Sequence, residues 1–493
     1  MRRVVHRFRP LFIVSLAALV GLSLAIACGT EVSIPEPEPG IKPVPEAGAD
    51  TSVTPETGVL DAQVDAGVDA ADVVCPEVTP DDATGIYATP TGTNSPTCGT
   101  RAAPCKTLSH SVGRAGAAFR TKVYAARGTY VEKLTLVAGV EVIGGWNVAG
   151  TTWKRACNSP EEAVIVRAPA GQTVTVEARN LGGEATLSLL RVESKLLAQV
   201  LPGESLYGVI AVGTTTTLVM NDVRIEMTDA IAAANGAKGD AGAAAPASCA
   251  AGNGKVGTEG GQGAGAPPGA YDPTNGYAPA AAAAGGAAGP GANGAAGGLG
   301  LCVVCGTCAV NAAMTGCDFA PALGGPSCGK DGTPGCGGGA GGSGAPASGG
   351  GSNIGMFAWD ATVTINGGKV RSGNAGNGGA GGAGGAGGAG TKGAAGTATD
   401  VCVVGCTFNP MNSSCADVKG RADGGAAGDA GGNGGGGGAG GGGGGGSSFA
   451  IYQGGQGLVT TSGSTSLAHG TAGTGGAPAA GMGAAGVAAN RIP

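Results

Sequence analysis

The sequence predicts an all-β fold of short stacked strands, interrupted by long glycine-rich insertions. Three observations lead to this prediction. Glycine accounts for 104 of the 493 residues, about three times its usual share. Aromatic residues make up only 3%, which excludes a large aromatic core over most of the chain. Short runs of Val, Ile, Leu and Thr recur between glycine or asparagine turns, as expected for short strands.

The first 27 residues have the features of an export signal. A basic start precedes an apolar run from Leu11 to Ile26, shorter than the roughly 20 residues of a membrane-spanning helix. The run ends in AIACG at positions 25–29, which resembles the lipobox of bacterial lipoproteins. The resemblance implies diacylglycerol on Cys28 and sorting to the outer membrane, on its cell surface. An ordinary secretory signal with an incidental cysteine is the alternative.

Residues 28–84 are expected to form a lipidated cysteine followed by a disordered, Pro-rich and acidic tether. Few large apolar residues occur here, so the segment cannot bury enough surface to fold. Aspartates at 61, 65 and 69 are four residues apart and Asp72 follows three residues later, but the glycine and terminal glutamate of a calcium loop are missing. We therefore expect no metal site. The net charge of −6 disfavours nucleic-acid binding.

Residues 85–230 are expected to form a strand-rich module. Apolar runs that suggest strands lie at Lys122–Ala125, Leu134–Leu136, Val140–Ile143, Val164–Val166, Val174–Val176 and Thr186–Val192. Helical periodicity occurs from Leu108 to Phe119, with Ser109 as the expected N-cap. On strand spacing alone, a β-sandwich is the alternative architecture.

Four motifs in this module resemble a known family. They are YATPTG at 87–92, PCKTL at 104–108, VYAARGTYVE at 123–132, and GV at 139–140 followed by GGW at 144–146. Together they resemble the opening of bacterial right-handed parallel β-helix proteins of the pectin-lyase-like class. The resemblance implies a short helix that caps the open end of a solenoid, followed by stacked coils of three short strands.

Three later segments can be overlaid on one another. They run from Tyr207 to Ile225, from Ile354 to Val370 and from Phe449 to Leu467. We interpret them as successive coils, with the later two at 354–372 and 448–470. Residues 231–353 and 373–447 would then be insertions from the same corner of each coil, and 471–493 a Gly/Ala-rich tail. Chance similarity between low-complexity flanks is the alternative.

Within the second insertion, residues 378–390 read GGAGGAGGAGGAG, which resembles the glycine-rich repeats of the bacterial PGRS family. A three-residue period suits polyproline-II-type helices, which have three residues per turn and could pack through glycine faces. Irregular or disordered low-complexity chain is the competing interpretation.

The chain contains 15 cysteines, so lipidation of Cys28 would leave an even number in an exported protein. We expect these to form disulfide bonds that pin the insertions. The spacing of the cysteines at 302, 305 and 308 also resembles a zinc or iron–sulfur site. The candidate disulfide cysteines are Cys75, Cys98, Cys105, Cys157, Cys249, Cys302, Cys305, Cys308, Cys317, Cys328, Cys336, Cys402, Cys406 and Cys415.

The sequence shows no convincing catalytic constellation. After signal removal the histidines are His110 and His469, and neither lies near a nucleophile and an acid. The family resemblance raises polysaccharide lyases and hydrolases, which need paired carboxylates. The aspartates in question are scattered, and the arginines are expected to form a solvated ladder on strand faces; these are Asp222, Asp229, Asp360, Arg167, Arg191 and Arg224.

We therefore expect a non-enzymatic, lipid-anchored cell-surface protein without cofactors or metal. Its strand scaffold would display glycine-rich loops for adhesion, matrix or envelope interaction. Its partners would be the membrane, through the lipid anchor, and an extracellular polysaccharide or a surface protein. The alternative is a β-helix protein that binds or degrades extracellular polysaccharide as a lyase or hydrolase.

Overall fold

The computed structural model describes residues 78–156, 160–274, 276–301, 309–310, 317–318, 328–409, 412–477 and 481–492. For 309–310, 317–318, 400–409 and 412–421, only the backbone is described. The chain separates into two units, Met1–Asp69 and Ala70–Pro493, and the described residues belong to the second. This unit is mostly β, with 31% strand, 4% helix and parallel sheets. The prediction of a β-rich fold is therefore confirmed.

Most strands are two to nine residues long. In chain order they are β1 Gly85–Ala88, β2 Lys122–Ala126, β3 Gly128–Val131, β4 Leu134–Thr135, β5 Glu141–Ala149, β6 Thr152–Arg155, β7 Val164–Arg167, β8 Val174–Arg179, β9 Gly183–Ser188, β10 Arg191–Glu193, β11 Leu206–Val212, β12 Thr216–Asn221, β13 Arg224–Glu226, β14 Ala270–Asp272, β15 Gly276–Ala278, β16 Ala309–Val310, β17 Cys317–Asp318, β18 Asn353–Trp359, β19 Thr362–Asn366, β20 Lys369–Arg371, β21 Thr399–Asn409, β22 Asn412–Ala422, β23 Ser448–Gly454, β24 Leu458–Ser462, β25 Ser466–Ala468 and β26 Ala488–Ile492. The helices are α1 Leu108–Ala117 and α2 Pro160–Ala163, with a 3-10 turn at Leu197–Gln199.

Three parallel sheets hold most of these strands. The first sheet has the order β1-β2-β5-β9-β12-β19-β24, the second β25-β20-β13-β10-β7-β3, and the third β26-β23-β18-β11-β8-β4. From β2 onward the chain visits the first, second and third sheet in turn and then returns to the first. Each circuit therefore adds one strand to every sheet, and we call one circuit a coil.

The core lies between the three sheets, and equivalent side chains of successive coils stack there. In the first sheet Leu218, Val363 and Val459 are aligned, and all three are buried. The equivalent aligned and buried rows are Val192, Ile225 and Val370 in the second sheet, and Val209, Met356 and Ile451 in the third. Each row covers the apolar edge that a single coil would leave exposed.

One corner of the coil was not evident from the sequence. The run from Thr186 to Val192 was expected to be one strand, but it is divided between β9 and β10. Leu189 turns the chain with a φ of 54°, and the equivalent Asp222 has a φ of 48°. Leucine rarely adopts this conformation, so the residue type gives no signal of a turn. The stacked coil imposes it through a hydrogen bond from Leu189 N to Asn221 O of the next coil.

Helix α1 covers the first coil. It buries Leu108, Val112 and Ala115 in the same hydrophobic core as β1 and β2. The expected N-cap was wrong, because the Thr107 side chain accepts the hydrogen bond from His110 N. The hydroxyl of Ser109 donates instead to Lys133 O. The helix ends at Ala117, before Phe119.

The three overlaid sequence segments occupy adjacent strands in each sheet. In the third sheet Tyr207 pairs with Ile354, which pairs with Phe449. Both long insertions leave their coils between the second and third sheets, after β13 and after β20. The last coil diverges at the same corner after β25. The three departures are therefore stacked one above the other.

The described parts of the glycine-rich regions are eight extended segments. We number them I (230–245), II (252–266), III (283–301), IV (328–351), V (373–396), VI (423–447), VII (470–477) and VIII (481–487). Neighbouring segments exchange backbone hydrogen bonds at every third residue. Between segments I and V, for example, Gly236, Gly239 and Gly242 donate to Ala380, Ala383 and Ala386. This period equals the three residues per turn of a polyproline II helix.

Segment VI lies at the centre of this glycine bundle. Its backbone forms hydrogen bonds with six other segments, namely II, III, IV, V, VII and VIII. Residues 440–446 are seven consecutive glycines, all of them buried. At six of the seven, including Gly443, a Cβ atom would overlap a backbone carbonyl oxygen of another segment. The unbroken glycine run is required because other segments pack against segment VI on every side and leave no room for side chains.

Segments at the bundle surface need glycine at only two positions in three. In the GGA repeat of segment V, Ala383, Ala386 and Ala389 are exposed, while the glycines between them face other segments. Where a neighbouring carbonyl is missing, an amide side chain replaces it. Asn235 Oδ1 accepts from Ala380 N at 2.8 Å, and Asn377 Oδ1 accepts from Thr474 N at 2.8 Å.

The hairpin of β14 and β15 covers an aromatic row on the outer surface of the third sheet. The Tyr271 ring stacks on Tyr452 with centroids 4.3 Å apart. Tyr277 N donates to Tyr207 Oη at 2.7 Å, and burial raises the pKa of Tyr207 to about 12. This hydroxyl therefore stays protonated at neutral pH, and the hairpin connects the glycine bundle to the coils.

Two regions outside the predicted coils carry ordered structure. Residues 471–493, predicted as a Gly/Ala-rich tail, contribute segments VII and VIII and strand β26, which pairs with β23. The predicted tether overlaps the described residues only at 78–84. There Asp81 N donates to Tyr124 Oη at 3.0 Å, so the folded module begins a few residues before Gly85.

We expect Gly443→Ala to destabilise the protein, because its Cβ would overlap the carbonyl oxygen of Ser348 in segment IV. Overpacking of this kind typically lowers the free energy of unfolding by about 1–3 kcal/mol. Thermal unfolding followed by circular dichroism measures the effect. The matched control is Ala386→Ser at an exposed position, where a change within about 0.5 kcal/mol is expected. Equal stability of the two variants would contradict the packed bundle.

Candidate functional site

The outer surface of the second sheet carries a row of charged side chains. In β10, β13 and β20 the middle residue points into the core, so the two flanking residues point outward. Those flanking residues are charged in all three strands, and Arg167 of β7 extends the row. Glu161 of α2 lies beside it. The eight side chains of this charged row are Glu161, Arg167, Arg191, Glu193, Arg224, Glu226, Lys369 and Arg371.

Ion pairs connect the charged row across the strands. Glu193 contacts Arg167 at 2.6 Å and Arg191 at 2.9 Å. Glu226 contacts Arg191 at 2.6 Å, Arg224 at 3.4 Å and Lys369 at 3.8 Å. Two glutamates thus hold four cations in register, and partial burial of the side chains limits screening by solvent.

Positive charge is in excess on this surface. Among the side chains of the charged row that the structure describes, five are cationic and three are carboxylates, whereas the whole chain carries a net charge of −6. Among the described residues, no carboxylate lies within ion-pair distance of Arg371, which is exposed. The charged row can therefore attract an anionic partner while the rest of the chain repels it.

Two shallow cavities flank the charged row. The first has a volume of about 290 Å³ and contains Arg167, Arg191, Lys195, Leu196, Leu197 and Arg371 in its lining. The second has a volume of about 490 Å³ and is lined by Glu161, Leu189, Asp222, Arg224, Gly368, Lys369 and Ser464. Each is lined by different cations of the charged row, Arg167, Arg191 and Arg371 in the first and Arg224 and Lys369 in the second. We therefore treat the row and its cavities as one candidate anion-binding site.

A buried ion pair lies at the edge of the first cavity. Lys195 is 1% exposed, and its Nζ lies 2.6 Å from both carboxylate oxygens of Glu204. Loss of either partner would leave an uncompensated buried charge, which strongly destabilises proteins. The pair fixes the turn between β10 and β11.

The structure places the predicted arginines together but separates the aspartates. Arg191 and Arg224 occupy aligned positions of β10 and β13, whereas Arg167 aligns with Glu193. All three arginines are ion-paired and partly exposed rather than freely solvated. Asp222 and Asp360 occupy different corners of the coil, both with positive φ. Asp229 binds Asn374 at the base of the glycine bundle.

Neither histidine belongs to the candidate site. His110 lies in the first turn of α1, with its Nε2 3.1 Å from Ser95 O. His469 lies beside segment VII, with its Nδ1 2.8 Å from Gly470 O. No sequence pattern indicated Glu193 or Glu226, because their partners lie on other strands. Lys195 was also missed, because its burial against Glu204 depends on how the turn folds.

Two cysteine pairs lie at disulfide-bonding distance. Cys98 and Cys105 close the loop beside β1, and Cys249 connects the region between segments I and II to Cys336 of segment IV. Cys328 is also disulfide-bonded. His110 lies close to Cys98 and Cys105, but the disulfide occupies both sulfur atoms that a metal would need.

The other cysteine predictions fall wholly or partly outside the described residues. Those without described structure are Cys28, Cys75, Cys157, Cys302, Cys305 and Cys308. For Cys317, Cys402, Cys406 and Cys415 only the backbone is described. Cys406 and Cys415 lie opposite each other in the strand register of the β21–β22 hairpin.

Comparison with known proteins finds no match. No protein-family model, no curated protein and no solved structure matches this chain. The resemblances to pectin-lyase-like and PGRS-family proteins therefore stay predictions. No helix in the described part of the chain has the length and apolar character needed to cross a bilayer.

We expect Glu226→Gln to lower stability, because it removes the carboxylate that separates Arg191, Arg224 and Lys369. For partly exposed ion pairs the loss in free energy of unfolding is about 1 kcal/mol, and salt should reduce it. Thermal unfolding at low and high ionic strength measures both effects. Glu184→Gln, at the exposed position of β9, is the control and should unfold like the wild type. A salt-independent deficit would argue against an electrostatic cause.

Proposed function

We propose that this protein is a non-enzymatic, lipid-anchored cell-surface scaffold for adhesion, matrix or envelope contact. One observation carries the proposal. Glycine segments leave three successive coils at one corner and join a single bundle through backbone hydrogen bonds. The glycine-rich segments are therefore an ordered part of the fold. The protein would present one packed bundle at its surface, in place of separate loops.

We further propose that the coils form a right-handed parallel β-helix capped by α1. Three parallel sheets visited in turn support this assignment, as does the burial of α1 on the first coil. Crossover connections between parallel strands are right-handed in about 98% of cases. The glycine segments would then be polyproline-II-like helices, with the three-residue hydrogen-bond period as support.

The bundle suits a structural role because of how it is stabilised. Its hydrogen bonds join main chain to main chain, so its surface positions are free to vary. Exposed alanines and asparagines on segment V leave its surface uncharged from 373 to 391, whereas segment I exposes Lys238 and Asp240. Such a bundle could contact a matrix or the cell envelope through many weak contacts without a dedicated ligand cavity.

Placement at the cell surface rests on the sequence before residue 78. A signal over residues 1–27 would be followed by lipidated Cys28, and the Pro-rich acidic tether would connect the scaffold to the outer membrane. At about 3.3 Å per extended residue, this tether could hold the scaffold on the order of 150 Å from the lipid. The scaffold could then act across the outer layers of the envelope.

We expect Cys28→Ser to abolish lipid attachment, because the thiol is the proposed acceptor of diacylglycerol. Metabolic labelling with a radioactive fatty acid and fractionation of cells into membrane and soluble pools measure the loss. Cys75→Ser is the control, since it removes a thiol without touching the lipobox, and it should stay labelled. Full labelling of the Cys28 variant would refute the anchor.

We expect no turnover of polysaccharides by the purified chain. Incubation with acidic and neutral polysaccharides should release neither reducing ends nor unsaturated ends above the level of a heat-denatured sample. Steady, enzyme-dependent release would instead support the lyase or hydrolase alternative and overturn the non-enzymatic assignment.

A further inference from the structure

The turn between β10 and β11 presents an exposed apolar surface. Leu196, Leu197 and Leu201 are 50%, 53% and 61% exposed. We call this the leucine turn (residues 195–204). Single exposed leucines are ordinary on protein surfaces, but three within six residues concentrate apolar area at one point. Such concentrations mark sites of interaction with proteins or membranes.

The leucine turn is firmly built. Val200 points inward and is buried, while Gln199 N donates to Leu196 O at 2.8 Å in the 3-10 turn. Glu204 closes the turn, since its carboxylate accepts from Leu201 N at 2.9 Å and from buried Lys195. The buried ion pair thus holds the turn in a conformation that leaves the leucines exposed. A turn that only connects two strands would not need such an ion pair.

The leucine turn adjoins the charged row. The lining of the cavity of about 290 Å³ includes Leu196 and Leu197 together with charged side chains. The charged residues in that lining are Arg167, Arg191, Lys195, Arg371, Glu193 and Glu226, so cations exceed carboxylates there. Apolar side chains beside an excess of cations form the combination that binds the interface of an anionic membrane. The leucines would enter the boundary of the acyl chains while the arginines contact acidic headgroups.

We propose that the leucine turn and the charged row dock onto an anionic lipid surface. The cations alone would suit an acidic polysaccharide equally well. The leucines favour a lipid surface over a polysaccharide, because a solvated polyanion offers no apolar phase for three exposed leucines. Docking uses no residue before 78, so it is independent of the proposed anchor at Cys28.

The test uses the full chain carrying Cys28→Ser, so that no covalent lipid contributes to binding. Co-sedimentation is measured with two kinds of vesicle. One is pure phosphatidylcholine, and the other contains about 30% phosphatidylglycerol, an anionic lipid that attracts basic residues. We expect about tenfold tighter binding to the anionic vesicles, weakened but not abolished by salt. Equal binding to both compositions, or none, would overturn the proposal.

Variants on the two halves of the surface should act separately. Leu197→Ser with Leu201→Ser should weaken binding by about tenfold or more, given the apolar area removed. Arg371→Gln should weaken it about fivefold, as expected for one basic residue near an anionic membrane. The matched control is Leu299→Ser in segment III, which is 80% exposed and should bind like the parent chain.

A variant that binds more tightly than the parent chain shows that changes in binding do not come from misfolding. Glu226→Gln raises the positive excess of the charged row and should tighten binding to anionic vesicles several-fold, although it lowers stability. Soluble alginate is added as a competitor. Strong competition together with unchanged binding of the leucine variants would assign the surface to acidic polysaccharide and overturn lipid docking. Self-association lost in the leucine variants, without vesicle binding, would assign it to a second copy of the chain.

Discussion

Hydrogen bonds between closely packed backbones hold the glycine-rich half of this protein together. Around segment VI the main chains approach so closely that a Cβ atom would overlap a neighbouring carbonyl. Glycine is usually destabilising in regular structure because it loses the most conformational freedom on folding. Here that loss is offset by hydrogen bonds to neighbours on all sides, and the position of each glycine follows from the number of neighbours around its segment.

The coils make this bundle possible. Stacked strands bring the same corner of successive coils into line, so segments I, V and VII start side by side with Ala230 N bonded to Asn374 O and Ala375 N to Thr471 O. A long insertion adds only a logarithmic closure entropy. Its ordering still requires partners, and the aligned starts supply them. The hairpin over Tyr452 and the pair Cys249–Cys336 then connect the outer segments.

The same stacking creates the charged surface and the leucine turn. Charged residues that flank Val192, Ile225 and Val370 become neighbours only because their strands pair in register. The corner between the second and third sheets carries the leucine turn in one coil and glycine insertions in the coils that follow. One repeated geometry therefore accounts for the scaffold, the bundle and the proposed membrane contact.

The sequence by itself determined the short strands, the capping helix and the three similar coils, because alternation and self-similarity are local patterns. It also located the glycine excess and the regular GGA tract. Only the tertiary structure decided that the glycine segments are ordered, that Leu189 turns a corner, and that Glu193 and Glu226 bridge arginines. These features depend on hydrogen bonds and ion pairs between residues from tens to more than two hundred positions apart, and no local pattern records such contacts.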